Sequence, residues 1–273
     1  MEPGAVTSEA APGASVRAGD TGETPFSIEK IRDSFPALSR EIAGKPVAYL
    51  DSGASSQRVL ASIQAVDRYE RRHHSNVHRG SHTLSAEATA AYEGARATVA
   101  DHIGAADRRE VIFVRNATEA INLVARTWGA ANIREGDRIV LTEMEHHSNI
   151  VPWQQLALAA GAEIDWVAVD EGGQLALDDL ARFLARGPKL VAVSHLSNVL
   201  GTENPITEIS RMAHEAGALV CVDGAQAAPR MWSRRAKPCG SSTRRPETAA
   251  SRAAGRAGPR APRFRSGHTA CAL

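Results

Sequence analysis

The chain has 273 residues, 43% of them hydrophobic and 23% charged, with a formal net charge of +1, the composition of a globular protein rather than a fibrous or wholly disordered one. No stretch approaches the run of roughly 20 apolar residues that a membrane helix needs. Residues 1–25 carry Arg17 as their only basic side chain and have no apolar core, so neither a membrane span nor secretion is expected. Three cysteines, Cys221, Cys239 and Cys271, are too few for a disulfide scaffold and point to a reducing, cytoplasmic compartment. The small net charge hides a split after Pro229: residues 230–273 hold eleven Lys and Arg against Glu247 alone, whereas the preceding residues are acidic overall. The basic stretch is rich in Pro, Gly, Ala and Ser and has only Trp232 and Phe264 as aromatics, so stacking on nucleic-acid bases is not the expected use of its charge.

Residues 1–25 contain too few large apolar side chains to offset the entropy of ordering them and read as a disordered leader. Ser27 is placed to cap a short helix carrying Ile28, Ile31 and Phe35, and Val47 to Leu50 reads as a short strand. Val59, Leu60, Ile63 and Val66, and then Tyr92, Ala95, Val99 and Ile103, recur at helical spacing. Compact apolar strands follow at residues 110–114, 138–142, 164–169, 189–194 and 219–222. Helix-length segments near residues 118–128, 150–159, 178–184 and 205–215 separate them. Strands apolar on both faces and joined by helices predict an α/β domain with a mainly parallel sheet covered by helices. From residue 230 onward there is no Ile or Val, and the only Leu is Leu273. That tail reads as a basic low-complexity segment, disordered or translated out of frame.

In open α/β sheets ligands gather at the carboxyl ends of strands. Arg115-Asn116-Ala117-Thr118 leads into a helix whose free N–H groups suit a phosphate, or Thr118 merely caps that helix. Glu143 to Asn149 places His146 and His147 after the next strand, where an imidazole could stack on a flat ring or simply face solvent. A zinc site is the competing use of these side chains and of His73, His74, His78 and His82, but no His-Glu-x-x-His spacing occurs. His195 to Thr202, with Asn198, and then Asp223-Gly224-Ala225-Gln226 follow later strands. Each reads alone as an ordinary turn. An aspartate for a protonated ring nitrogen, an aromatic side chain, an amide and a phosphate-binding helix start together describe one cofactor pocket. Cys221, inside an apolar strand, reads as a packing residue.

Five segments, Tyr49 to Ser55, Val77 to Ser85, Met144 to Asn149, Ser197 to Pro205 and Val222 to Ala227, resemble in order and spacing the SufS-type cysteine desulfurases. These are class V aminotransferases of the fold-type I pyridoxal phosphate enzymes. The resemblance spans residues 26–229 and implies a partial large domain of that fold, a family-type homodimer and a sulfur-acceptor protein as partners. The run Glu145 to Trp153 points to the SufS and selenocysteine-lyase branch. The resemblance further implies pyridoxal 5'-phosphate held by Ala117 and Thr118 at its phosphate. His146 would lie against the ring and assist proton transfer, Asn198 beside the ring, Asp223 at the ring nitrogen and Gln226 at the ring hydroxyl. Ala54, His78 and Arg79 would lie nearer the substrate entrance. The implied reaction takes L-cysteine to L-alanine and passes sulfur on as a persulfide for iron–sulfur cluster assembly.

Several departures from the family pattern bear on activity, the family's substrate-carboxylate arginine being one of the features not found. The family's Ser-Gly-His-Lys segment supplies its Schiff-base lysine about two dozen residues after the aspartate motif. Here the only lysines are Lys30, Lys45, Lys189 and Lys237, and Ser266-Gly267-His268-Thr269 has the motif's form without its lysine. The persulfide-forming cysteine loop and the small C-terminal domain are also missing. The expectation is a truncated chain that binds the cofactor weakly and without a covalent bond, with little or no desulfurase activity. The alternatives are a non-catalytic remnant or partner subunit of a full-length homologue, and a selenocysteine lyase.

Overall fold

The structure, a computed structural model, describes residues 27–231 and 269–272. The expected leader 1–25 and residues 232–268 of the expected tail lie outside the described residues. The chain divides into two compact units, Met1–Arg68 and Tyr69–Leu273.

In the first unit, Ser27 caps α1 (Ile28–Asp33) by accepting from the Lys30 N–H, as its position predicts. A two-residue hairpin joins β1 (Glu41–Ile42) to β2 (Lys45–Pro46). Its turn residues Ala43 and Gly44 have φ of 52° and 71°, the left-handed pair whose twist matches the flanking strands. Arg32 fastens this corner by donating to the carbonyls of Leu38 and Val47 at 2.9 and 3.1 Å. Val47 to Leu50, predicted as a strand, is irregular; only the Val47 N–H continues the hairpin, donating to the Arg40 carbonyl at 3.1 Å. The boundary between the units falls within α2 (Leu60–Arg72), whose apolar residues Leu60, Ile63 and Val66 are exposed.

The second unit opens with α3 (Thr83–Ile103), ended by left-handed Gly104 at φ 70°. α4 (Ala117–Val124) passes through a π-helical turn at Ala125–Gly129 into the short α5 (Ala130–Asn132). Then β3 (Arg138–Thr142), α6 (Val151–Ala160), β4 (Glu163–Val167), α7 (Leu177–Leu184), β5 (Leu190–Ser194), α8 (Ile206–Glu215), β6 (Leu219–Asp223) and α9 (Ala228–Met231) alternate. The predicted βαβ order is therefore present. Side chains alternate across the strands, giving two cores. Val140, Val167, Val191, Val193, Val220 and Val222 pack with α7 and α8. Ile139, Leu141, Leu190, Ala192 and Cys221 pack with α4 and α6. Burial on both faces is why these strands read as continuous apolar runs.

The sheet order is β4-β3-β5-β6-β7, all parallel. β7 is Thr269–Ala272 and pairs with β6 from Val220 to Asp223. No strand is predicted for that small-residue stretch. The pairing uses main-chain groups, which an apolar pattern does not reveal. The reverse holds for residues 111–114, predicted as a strand but irregular here. Ile112 and Phe113 are 68% and 41% exposed, and no described segment pairs with them. From β3 the chain goes to β4 on one side and then to β5 on the other, so β3 and β5 flank a topological switch point. A crevice at the carboxyl ends is expected there.

Leu141 is fully buried between sheet and helices, whereas Leu158 on α6 is 88% exposed. Leu141→Ala is expected to cost about 2–5 kcal/mol of unfolding free energy and Leu158→Ala close to none, as read by urea titration. Equal effects would contradict the core described.

Candidate functional site

Three adjacent strands end at one edge. Parallel register sets Ser194 of β5 opposite Asp223 of β6, and Val140 of β3 opposite Val191 of β5. The segments after β3 and β5 carry His146 and Asn198, and Asp223 is the last residue of β6. The main chain knits them further, with the His195 N–H donating to the Asp223 carbonyl and the Asn204 N–H to the His195 carbonyl, each at 2.9 Å. α4 packs against the turn His147–Asn149, which sets a helix start beside the strand ends.

Asp223 is 7% exposed. Burial pushes its carboxyl above the ordinary value, while the Ala225 N–H at 3.0 Å and the His146 imidazole pull it back. His146 therefore lies within electrostatic reach of Asp223. His146 Nδ1 lies 2.8 Å from Ser148 Oγ and accepts the Ser148 N–H at 3.2 Å. An accepting Nδ1 leaves the ring proton on Nε2. The imidazole itself is exposed.

The start of α4 is capped by Asn116, whose side chain accepts the Glu119 N–H at 2.9 Å. The Glu119 carboxylate turns back to accept the Arg115 N–H at 2.7 Å. Ala117 and Thr118 occupy the first turn, where N–H groups have no intrahelical acceptor; Thr118 is exposed and Ala117 half-buried. Asn198 is exposed on the loop after β5. Gln226, half-buried after β6, accepts from the Arg230 guanidinium through its carbonyl at 2.9 Å and through its side-chain oxygen.

Of the predicted entrance residues, Ala54 lies in the first unit, exposed, with its N–H donating to the Asp51 carbonyl at 3.2 Å. His78 and Arg79 belong to the second unit and are exposed. His78 has a φ of 65°, its N–H donates to Thr89 Oγ1 at 2.9 Å, and its Nε2 lies 3.1 Å from Glu93. A left-handed non-glycine residue is strained unless its surroundings hold it. Ser85, buried at the start of α3, does part of this by accepting the Gly80 N–H at 2.9 Å and donating to the Asn76 carbonyl at 2.7 Å. A Cβ on Gly80 would sit 2.5 Å from Ser85 Cβ, so only glycine fits. The depression of about 470 Å³ at His78, lined also by Val77, Tyr92, Arg96, Val111 and Ile112, contains neither His146 nor Asp223.

A buried residue that sequence reasoning passed over is Glu145. Its oxygens accept from Thr142 Oγ1 and Asn149 Nδ2 at 2.6 Å each, and from the Ser194 N–H and Oγ at 2.9 and 2.6 Å. Trp153 Nε1 extends the network to Asn149 Oδ1 at 2.9 Å. Burial raises the Glu145 carboxyl while the four hydrogen bonds oppose that shift. Cys221, 1% exposed, is pushed up to about 12 by burial and by the Asp223 and Glu145 carboxyls, which fits packing rather than nucleophilic chemistry. Among the described residues, no group of three or more His, Cys, Asp or Glu could hold a metal ion, and no helix is long and apolar enough to cross a membrane.

Residues 48–234 match the aminotransferase class-V family. The "Probable cysteine desulfurase" of Halalkalibacterium halodurans is 50% identical over 206 residues, 76% of this chain and 51% of that protein. The "Cysteine desulfurase" of Cronobacter sakazakii is 50% identical over 202 residues, 74% of this chain and 50% of that protein. Among solved structures, the apo cysteine desulfurase of Thermococcus onnurineus superposes with a TM-score of 0.70 at 40% identity, over 75% of this chain and 49% of that one. The cysteine desulfurase CsdA of Escherichia coli gives a TM-score of 0.65 at 29% identity, over 76% and 51% of the two chains. The chain belongs to the class-V aminotransferase family, whose members bind pyridoxal phosphate. It spans about half the length of the curated relatives it matches.

The residues present fit the non-covalent contacts of that cofactor. A buried carboxyl already raised by burial is stabilised by a cationic ring N–H, and the open first turn of α4 suits a phosphate. The covalent contact has no candidate among the described residues of the second unit. Within the second unit, Lys189 precedes β5 at the opposite end of the strand from Ser194, roughly 16 Å away at strand rise.

Asp223 gives the stability a definite pH dependence. Above the ordinary aspartate value of 3.8 and below the raised native value, the folded chain keeps a proton that the unfolded chain has lost. Stability therefore falls as pH rises through that window. Asp223→Asn is expected to make the fall shallower in urea titrations at a series of pH values. An unchanged slope would mean that Asp223 titrates alike in both states.

Proposed function

We propose that the chain carries the non-covalent half of a SufS-type cysteine desulfurase pocket, binds pyridoxal phosphate weakly and reversibly, and does not turn over L-cysteine alone. The observation that carries this reading is the placement of buried Asp223, at the end of β6, within the electrostatic reach of His146, which follows β3, at the same carboxyl edge of the sheet. The family membership and cysteine desulfurase relatives support it.

In this reading the N–H groups of Ala117 and Thr118, with the Thr118 hydroxyl, hold the phosphate. The Asp223 carboxylate accepts a hydrogen bond from the protonated ring nitrogen and so keeps that nitrogen charged, and Gln226 orients the ring hydroxyl. Asn198 borders the ring. Pyridoxal phosphate, when bound, supplies an electron sink for bonds at the amino-acid α-carbon. His146, with Nδ1 committed to Ser148, lies against the ring and presents Nε2 for proton transfer. Ala54, His78 and Arg79 serve substrate entry. In a complete enzyme of the family, a cysteine thiolate of the enzyme would attack the sulfur of L-cysteine, or the selenium of selenocysteine, as the bond to the β-carbon breaks, leaving L-alanine and an enzyme persulfide or its selenium counterpart. An acceptor protein then passes sulfur to iron–sulfur assembly in the cytoplasm. The inactivity of this chain follows from the absence of a lysine in the sequence near Asp223 other than Lys237, because a covalent amine is what fixes the cofactor and is exchanged for the substrate amine.

A second reading is a non-catalytic partner that pairs with a full-length homologue or a second family-type protomer. The exposed neighbours Ile112 and Phe113, on a segment of apolar strand character, favour it. Co-expression with a tagged full-length homologue tests it directly, since the reading requires the two to co-purify.

For the main proposal, pyridoxal phosphate mixed with the purified chain is expected to shift its absorbance and then to be lost on dialysis. Borohydride is expected to leave no added mass on the protein, and L-cysteine to give no sulfide. A borohydride-fixed adduct with sulfide release would show that another lysine serves and that the chain is a working enzyme. No absorbance change at any concentration would remove the pocket reading.

A further inference from the structure

β3 and β5 are paired only at Ile139 with Leu190 and Val140 with Val191. Beyond those residues the two strands carry no ladder bonds, although β5 continues to Ser194 and pairs with β6 along its whole length. The Glu145 carboxyl fills the gap. Its Oε1 takes the Ser194 N–H, a main-chain donor of β5 that no β3 carbonyl reaches, together with Thr142 Oγ1 from the end of β3. Its Oε2 takes Ser194 Oγ and Asn149 Nδ2. Two of the four donors, a main-chain N–H and an amide NH2, have no acceptor capacity, so an amide in place of the carboxylate would face at least one of them donor to donor. Asn149 in turn receives Trp153 Nε1, and its own N–H donates to the His146 carbonyl at 2.7 Å. The turn from His146 to Asn149 is thereby held at both ends, by the carboxyl that precedes it and by the amide that closes it. Within that turn the Ser148 N–H meets His146 Nδ1.

We propose that Glu145 is a positioning residue: by bridging the parted ends of β3 and β5 and gripping Asn149, it holds the His146 turn so that the imidazole carries its proton on Nε2. The role rests on the pocket reading above only for its catalytic meaning, namely which nitrogen is offered to the substrate. The geometric claim stands without any cofactor. Glu145 touches neither cofactor nor substrate, and its effect passes through the main chain of the turn.

The test is nitrogen-15 NMR of the histidine side chains in the full chain without cofactor, with His146 assigned by loss of its signals in His146→Gln. The wild type is expected to show one unprotonated Nδ1 and one protonated Nε2 for His146 at a pH where the ring is neutral. In Glu145→Gln the His146 signals are expected to move toward the averaged values of a tautomer mixture, while His214 on α8, remote in the fold, keeps its wild-type signals. A folded Glu145→Gln chain with unchanged His146 signals would overturn the proposal. If Glu145→Gln does not fold, Ser194→Ala removes one donor and keeps the main-chain N–H, Thr142 and Asn149. It is expected to give a smaller shift in the same direction, and no shift there would equally overturn the proposal. Failure of the wild-type chain to bind pyridoxal phosphate would count against the pocket reading and leave these signals to be judged on their own.

Discussion

The parting of β3 from β5 is the constraint on which the site depends. A parallel sheet can only be built with crossovers that return each strand to the same starting edge, so every carboxyl end falls on one side. Where the chain goes from β3 to β4 and then back across to β5, two successive crossovers leave in opposite directions and no connection covers the space between. Polar side chains can enter there without displacing a helix. The segments after β3 and β5 use that space, and the one after β6 lies alongside because β6 is the next strand in register.

Two buried carboxyls occupy this region and meet the cost of burial differently. Glu145 is saturated by four donors from its own chain, so its burial is offset by protein groups alone. Asp223 receives the Ala225 N–H and the field of His146, a weaker compensation for a carboxyl almost as buried. The difference separates a group that holds the architecture from one left responsive to a bound cation. It also explains the inertness of Cys221, which lies in β6 with both carboxyls near enough to oppose a thiolate.

The strands of the core were legible because burial on both faces writes an unbroken apolar run, and β3 matches its predicted limits, residues 138–142. Residues 111–114 have the same local signature and form no strand. A strand is a relation between two segments, and the string shows only one of them. β7 is the converse case, recruited through main-chain groups by the edge of β6. In the site, His146 and Asp223 could be picked out because they follow strands. Glu145 could not, since nothing local distinguishes it from exposed Glu143. Its burial is decided by Ser194, 49 residues onward, and by a switch point that exists only once strand order is known.

In the pocket proposed above, the electronic and covalent duties toward pyridoxal phosphate fall on different residues. The electronic duty needs a carboxyl whose ionised form is stabilised when the ring nitrogen is protonated, and Asp223, raised by burial, is set for that before any ligand arrives. The covalent duty needs an amine at the same edge. Lys189 cannot supply it, because a residue at the amino end of a parallel strand is separated from the site by the length of the sheet. Moving an amine there is therefore not a matter of a side-chain rotamer; it requires a residue placed after a strand end. In the proposed pocket the start of α4, the imidazole and Asp223 stand at one carboxyl edge, and the covalent contact would have to come from a residue added to that edge.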